Sequence, residues 1–198
     1  MSPIFGVILI VLWLYLLRIF HKSELWAWKY IWGSCGLFIF MMIYLRPYAT
    51  EPLARVVSAL AGVVGRATNM FSAYYKYGVI FVNSDAGSIS LLIDFECSGI
   101  LEIMAFVALL VFFRAYTKRE RIIVGITGVC YLILANALRI ITICTVIYFF
   151  GMKSYYAAHT FVGRLLFYFL TVVLYFMVFT RTQIIRQKVG GFAYGNNK

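Results

Sequence analysis

Cys97 lies in the stretch of this chain whose residue types could do chemistry: Asp94-Phe95-Glu96-Cys97-Ser98-Gly99-Ile100-Leu101-Glu102. The stretch holds three of the seven carboxylates and one of the four cysteines. A polar, strand-like segment ends here and a long apolar run begins. A thiolate is a strong nucleophile, and both a helix start and a nearby cation lower a thiol's pKa. Asp94 and Glu96 act in the opposite sense. The other cysteines, Cys35, Cys130 and Cys144, lie inside apolar runs, where the residue behaves as a small hydrophobe. There is no CxxC pair and no Cys/His metal spacing, so neither a metal nor a cofactor is expected.

Two other residue types could complete such a site. His159, one of two histidines, could take the thiol proton as general base and return it to a leaving amine as general acid. Arg139 stays charged and could stabilise a thiolate or an oxyanion, or hold a substrate carboxylate. Glu102, one turn into the apolar run, reads as the counter-ion of Arg139, and Asn136 as a further supporting residue. Each has a plainer reading. A boundary cysteine can be structural, and Ser98-Gly99 can be a helix start. Arg139 and Arg164 can snorkel, and His159 can be an ordinary loop residue.

The elements that must position these groups are membrane helices. Of 198 residues, 64% are hydrophobic, and the mean hydropathy is +0.91. A hydrocarbon core of about 30 Å takes roughly 17–25 helical residues, and several runs reach that length. The expected fold is an all-α polytopic membrane protein forming one integral domain over residues 1–198. Five spans are expected, at residues 3–20, 28–45, 98–113, 122–150 and 161–179, with an outer region at 46–97. Pro3–Phe20 reads as a retained first span, since no basic residue precedes it and no small-residue cleavage site follows. Arg46-Pro47 ends the second span. The apolar run from Ile122 to Phe150 is too long for one crossing and too short for two, so it tilts, breaks or projects.

Within the outer region, Leu53–Met70 reads as an amphipathic helix at the interface, with a sixth span as the competing reading. Tyr77–Val82 and Ser88–Phe95 read as strands of a small outer β-hairpin, joined by the turn residues Asn83-Ser84-Asp85-Ala86-Gly87. A short polar connection leads from Gly151 to His159.

The net charge of +11 comes from basic residues at the ends of apolar runs, so it reports membrane orientation and not nucleic-acid binding. The loop at 18–29, the cluster at 114–121 and the tail with Arg181, Arg186 and Lys188 all reach the cytoplasm if five spans begin outside. Cys97, Arg139 and His159 then converge on the outer face.

Taken in order, Glu96-Cys97-Ser98-Gly99-Ile100, then Asn136-Ala137-Leu138-Arg139-Ile140, then His159 with Gly163 resemble the exosortase/archaeosortase family. The likeness covers roughly residues 50–180, and the small size is similar to the compact XrtG-type exosortases of Gram-positive bacteria. The resemblance implies a membrane cysteine transpeptidase with Cys97, Arg139 and His159 as its catalytic residues. Its substrate would be a secreted protein bearing a C-terminal transmembrane sorting signal, cut outside the plasma membrane through a thioester. The product would pass to an amine or a lipid-linked acceptor. The runner-up is a non-enzymatic module of an envelope export or polysaccharide assembly system. A small transporter is disfavoured by the lack of an internal repeat.

Overall fold

The computed structural model describes residues 3–84 and 87–185. The turn residues Asp85 and Ala86 and the tail residues Arg186 and Lys188 lie outside the described residues. In chain order the elements are α1 (Pro3–Lys22), α2 (Trp26–Tyr44), α3 (Arg46–Thr68), β1 (Phe71–Tyr74), β2 (Val79–Ser84), β3 (Gly87–Leu92), α4 (Ile100–Phe112), α5 (Lys118–Phe150) and α6 (Met152–Ile185).

The spine is α5, an unbroken helix of 33 residues, about 50 Å long at 1.5 Å per residue. Of the three expected outcomes for the long run, a break is thereby excluded. A capping box starts it ahead of the expected Ile122. The Thr117 hydroxyl accepts the Glu120 N–H at 3.4 Å, and the Glu120 carboxylate accepts the Thr117 N–H at 2.8 Å. Gly151, at φ 73°, ends it. The chain then turns directly into α6, so the expected polar connection up to His159 is instead the first turns of a helix.

Two apolar cores lie along this spine. Toward its C-terminal half, Ala137, Ile140, Ile143, Cys144 and Ile147 pack against the inner face of the sheet and against α3. The buried face of α3 is Ala54, Val57, Ser58, Ala61, Gly62 and Gly65. These recur at helical spacing, and their small size lets the sheet approach closely. Toward the N-terminal half, Leu132 packs with Phe106 and Leu110 of α4 and Leu174 of α6. The Phe106 ring meets Tyr175 and Phe179 edge-on at 6.0 and 6.1 Å.

The outer region differs from expectation in two respects. The helix begins at Arg46 and not near Leu53, because a proline is well tolerated in a first turn, and Pro47 falls there. It leaves α2 with a bend of 79°. The hairpin is a three-stranded antiparallel sheet in the order β1-β2-β3. Phe71 pairs with Val82 and Tyr74 with Val79, while Val79 also pairs with Leu92. The four residues of β1 are too few to show an alternating pattern beside the preceding helix. Tyr75–Tyr77 form a short 3₁₀ turn, and Asp94–Glu96 leave the sheet as a turn.

Among the described residues, α5 and α6 are each long and apolar enough to cross a membrane. The bent pair α2–α3 meets the test only jointly, and α4 is apolar but shorter. The molecule is thus mainly helical, with two or three candidate spans and a small sheet.

Candidate active site

The turn carrying Cys97 is fixed at both ends. The Ile93 N–H donates to the Gly78 carbonyl at 2.9 Å, the last bond to the sheet. Beyond it, Asp94 Oδ1 accepts the Cys97 N–H at 3.1 Å, and the Ser98 hydroxyl donates to the Phe95 carbonyl at 3.0 Å. Such local side-chain bonds replace a ladder with a turn. Gly99 then adopts φ 76° and opens α4. A Cβ there would be strained by the backbone angle and would lie 3.2 Å from Asn136 Cγ. The close approach has a use: Asn136, with no exposed surface, donates its Nδ2–H to the Cys97 carbonyl at 2.8 Å. The mid-point of α5 is thereby bonded to the backbone of the nucleophile candidate. From the opposite side, Arg46 at the α2–α3 elbow stacks on the Phe95 ring at 3.7 Å.

His159 reaches the same point from α6. Its segment, Ala158–Val162, is π-helical, a local widening of the helix that is frequent at functional sites. His159 Nε2 lies 3.1 Å from Cys97 Sγ. The Tyr155 ring stacks on the imidazole, with centroids 5.7 Å apart and an angle of 26°. Gly163 lets α6 come close, because a Cβ there would meet Ile143 at 2.7 Å.

Arg139 lines the same pocket and is only 5% exposed. Its guanidinium lies 5.6 Å from the centre of the Phe167 ring. Its buried Nε–H has no hydrogen-bond partner among the described residues. Glu102 also lines the pocket, but the two form no ion pair, contrary to the expected counter-ion role. A buried cation with no carboxylate at ion-pair distance among the described residues is costly, and here it faces a cavity of about 260 Å³ shared with Cys97, Glu96, Glu102, His159 and Arg164.

Cys97 is 7% exposed. Burial pushes its thiol up to about 11; Arg139 pulls it down, while Asp94 and Glu96 push it further up. The resting group is therefore a thiol with a base beside it, and not a standing thiolate. The carboxylates next to the cysteine act as the sequence suggests, and Arg139 opposes them.

All five candidate residues thus meet at one place: Cys97, His159, Arg139 and Glu102 around the pocket, and Asn136 behind the cysteine. Sequence reasoning treated Arg164 as a snorkelling residue, yet it lines the pocket and is half-buried. Its signal was a spacing of five residues from His159 on one helix. Asp94 as a clamp on the cysteine N–H, and Tyr155 as a stacking partner, were also missed. Neither residue type announces those roles.

A multi-pass helical membrane protein with a cysteine, a histidine and an arginine around one cleft is the class that fold and site define. The chain matches the family model for transmembrane exosortases (Exosortase_EpsH) over residues 2–176 and belongs to that family. Membership supports a membrane transpeptidase acting on protein. The match is to the family as a whole and does not separate the compact XrtG type from the rest. Neither a curated protein nor a solved structure matches the chain.

Proposed function

We propose that the protein is a cysteine transpeptidase of the plasma membrane that cleaves a C-terminal sorting signal on secreted proteins at the outer face. The observation that carries this reading is the 3.1 Å approach of Cys97 Sγ to His159 Nε2 in a pocket shared with Arg139. Nucleophile, base and charge stabiliser are the parts that acyl transfer needs.

His159 takes the thiol proton as sulfur attacks the scissile carbonyl carbon. Arg139 steadies the negative oxygen that forms. The oxyanion collapses, the C–N bond breaks, and His159 returns the proton to the departing amine, which carries the transmembrane part of the signal. The thioester on Cys97 is then attacked by an amine or lipid-linked acceptor, whose proton passes to His159 and on to the returning sulfur. A neutral resting thiol suits this sequence, since the nucleophile is generated only at the moment of attack. Asn136 and Glu102 act in support: Asn136 holds the Cys97 backbone, and Glu102 adds charge to the pocket wall.

The membrane arrangement belongs to the same proposal. Five spans at residues 3–20, 28–45, 98–113, 122–150 and 161–179, within one domain, put the basic clusters inside and the pocket outside. Of the 122–150 run, the part up to about Arg139 then crosses the bilayer, and the remainder projects from it with the sheet packed on it.

The test is replacement of Cys97 by alanine in cells that retain Cys35, Cys130 and Cys144. Expected is a set of envelope proteins left as membrane-retained precursors, with loss of a hydroxylamine-labile acyl adduct on the protein. Unchanged envelope processing would leave the non-enzymatic module as the better reading. Membrane-impermeant maleimide should reach Cys97 from outside; labelling only from the cytoplasm would reverse the topology.

A further inference from the structure

We propose that the open edge of β3 is the docking strand for the substrate, whose residues upstream of the scissile bond add to the sheet beside it. This rests on the reading of Cys97 as nucleophile and names how the substrate is held.

The β2–β3 register runs from Val79 opposite Leu92 to Ser84 opposite Gly87. The Ile93 N–H bonds inward to Gly78. In an antiparallel pair, inward-bonding residues alternate with outward ones, so Ile89 and Leu91 bond toward β2 while Ser90 and Leu92 turn their N–H and C=O groups to the open side. None of these four outward groups has a partner among the described residues. β3 is an edge strand, and the first turn of α6 touches it at the Gly87 end, where Met152 sits. Ser90 and Leu92 are exposed, while Leu91 between them is half-buried.

Natural edges are blunted by lysine, proline, bulges or a covering element. The sequence Gly87-Ser88-Ile89-Ser90-Leu91-Leu92 has no charge and no proline. An edge left unprotected in this way is what strand addition uses, the backbone bonds supplying affinity and alternate side chains supplying specificity. This edge also leads somewhere. Five residues past Leu92 the chain reaches Cys97, with the Asp94 turn between.

The direction of the added strand follows. The acyl half stays on Cys97, and the departing half carries the membrane segment. Residues upstream of the cut must therefore extend from Cys97 back toward Gly87, running parallel to β3. A side chain on the outer face of the sheet would meet Leu92, which is 64% exposed, and an apolar residue at the facing upstream position fits it.

The test uses the full-length protein in cells. The probe is the set of precursors that accumulate with Cys97→Ala. Ser90→Pro deletes one outward N–H and leaves the inward bonds of Ile89 and Leu91 in place. Processing of that set by S90P should fall at least tenfold relative to S90A, which keeps the N–H, with unchanged thermal stability and unchanged alkylation rate of Cys97. In a second arm, Ser90 is replaced by a benzoyl-phenylalanine photocrosslinker in the Cys97→Ala background. It should crosslink to those precursors at residues just upstream of their apolar C-terminal segment. Equal processing by S90P and S90A, or crosslinks that fall only elsewhere on the precursors, would overturn edge docking. If S90P is poorly folded, the crosslink position decides. Should Cys97→Ala yield no precursors at all, the transpeptidase reading fails first, and separately from this one.

Discussion

The two cores along α5 are built from different material. The outer one pairs small α3 residues, Ala54, Val57, Ala61 and Gly65, with β-branched residues of the sheet and of α5, Ile80, Val82, Ile143 and Ile147. The inner one is aromatic and leucine-rich: Phe106, Leu110, Leu132 and Leu174, with Tyr131, Tyr175 and Phe179 packed against them. On the proposed membrane arrangement, the two cores have different surroundings, and their make-up fits that. A sheet held on a helix in water gains stability from burying apolar area, and small residues bring the layers together. Helices in lipid gain little from burial and depend on contact and interlocking shape. Gly128 illustrates this, since the Phe106 ring fills the space its side chain would occupy. Charged groups suit neither interior, and Arg139 and His159 line the pocket at the seam, beside Cys97 of the outer core.

Lesions at the seam, the outer core and the inner core should therefore separate. The largest effect is expected at the seam. His159→Ala should lower processing by about 10²–10⁴-fold, the usual worth of a positioned acid–base group, while both cores stay folded. Loss of stability to match would place His159 among the packing residues instead.

Arg139→Gln should cost about 10²–10³-fold, as for removal of one oxyanion-stabilising group. It should also move the thiol titration. Arg139 favours the charged thiolate, so its removal raises the Cys97 pKa above about 11. Iodoacetamide alkylation of the resting protein should rise with pH toward that value and shift to still higher pH in the variant. A shift to lower pH would contradict the electrostatics of the pocket.

The cores themselves give the next contrast. Ile80→Ala in the outer core should cost about 2–5 kcal/mol, and Phe106→Ala in the inner core about 3–5 kcal/mol, read as thermal unfolding in detergent. Only the Ile80 lesion should speed alkylation of Cys97, because β2, on which it sits, pairs with the strand β3 that leads to that turn. Equal acceleration by both would mean that the two cores unfold as one.

Smallest are the contacts that join the cores. Gly99→Ala forces a side chain onto a left-handed backbone and should cost about 1–2 kcal/mol. Asn136→Ala leaves the buried Cys97 carbonyl without a donor and should cost about 1–3 kcal/mol. A fall in processing larger than the stability loss explains would mark Asn136 as a positioning residue.

Much of this was legible before any coordinates. Apolar runs and their basic flanks announce a helical membrane protein, because lipid punishes charge and unpaired backbone wherever they fall. Cys97, Arg139 and His159 stand out as the reactive types at run boundaries or interruptions. What was not legible depends on neighbours distant in sequence. β1 is too short to declare itself and exists because β2 offers it a ladder. The expected Arg139–Glu102 pair does not form, since the guanidinium lies over Phe167 and faces the pocket. The helical start of α6 hid behind residues that look like a loop.

The sequence by itself determined the medium and the helical class and pointed to three candidate side chains, since these follow from composition and local pattern. Tertiary structure alone decided that Cys97 Sγ and His159 Nε2 stand 3.1 Å apart, that Asn136 holds the cysteine's carbonyl, and that β3 is an edge strand with no further strand paired to it among the described residues. Residues separated by 62 positions meet only when α5 and α6 pack. That packing rests on Gly163 and a π-helical turn, whose effect is measured in ångströms and leaves no periodic trace in the chain.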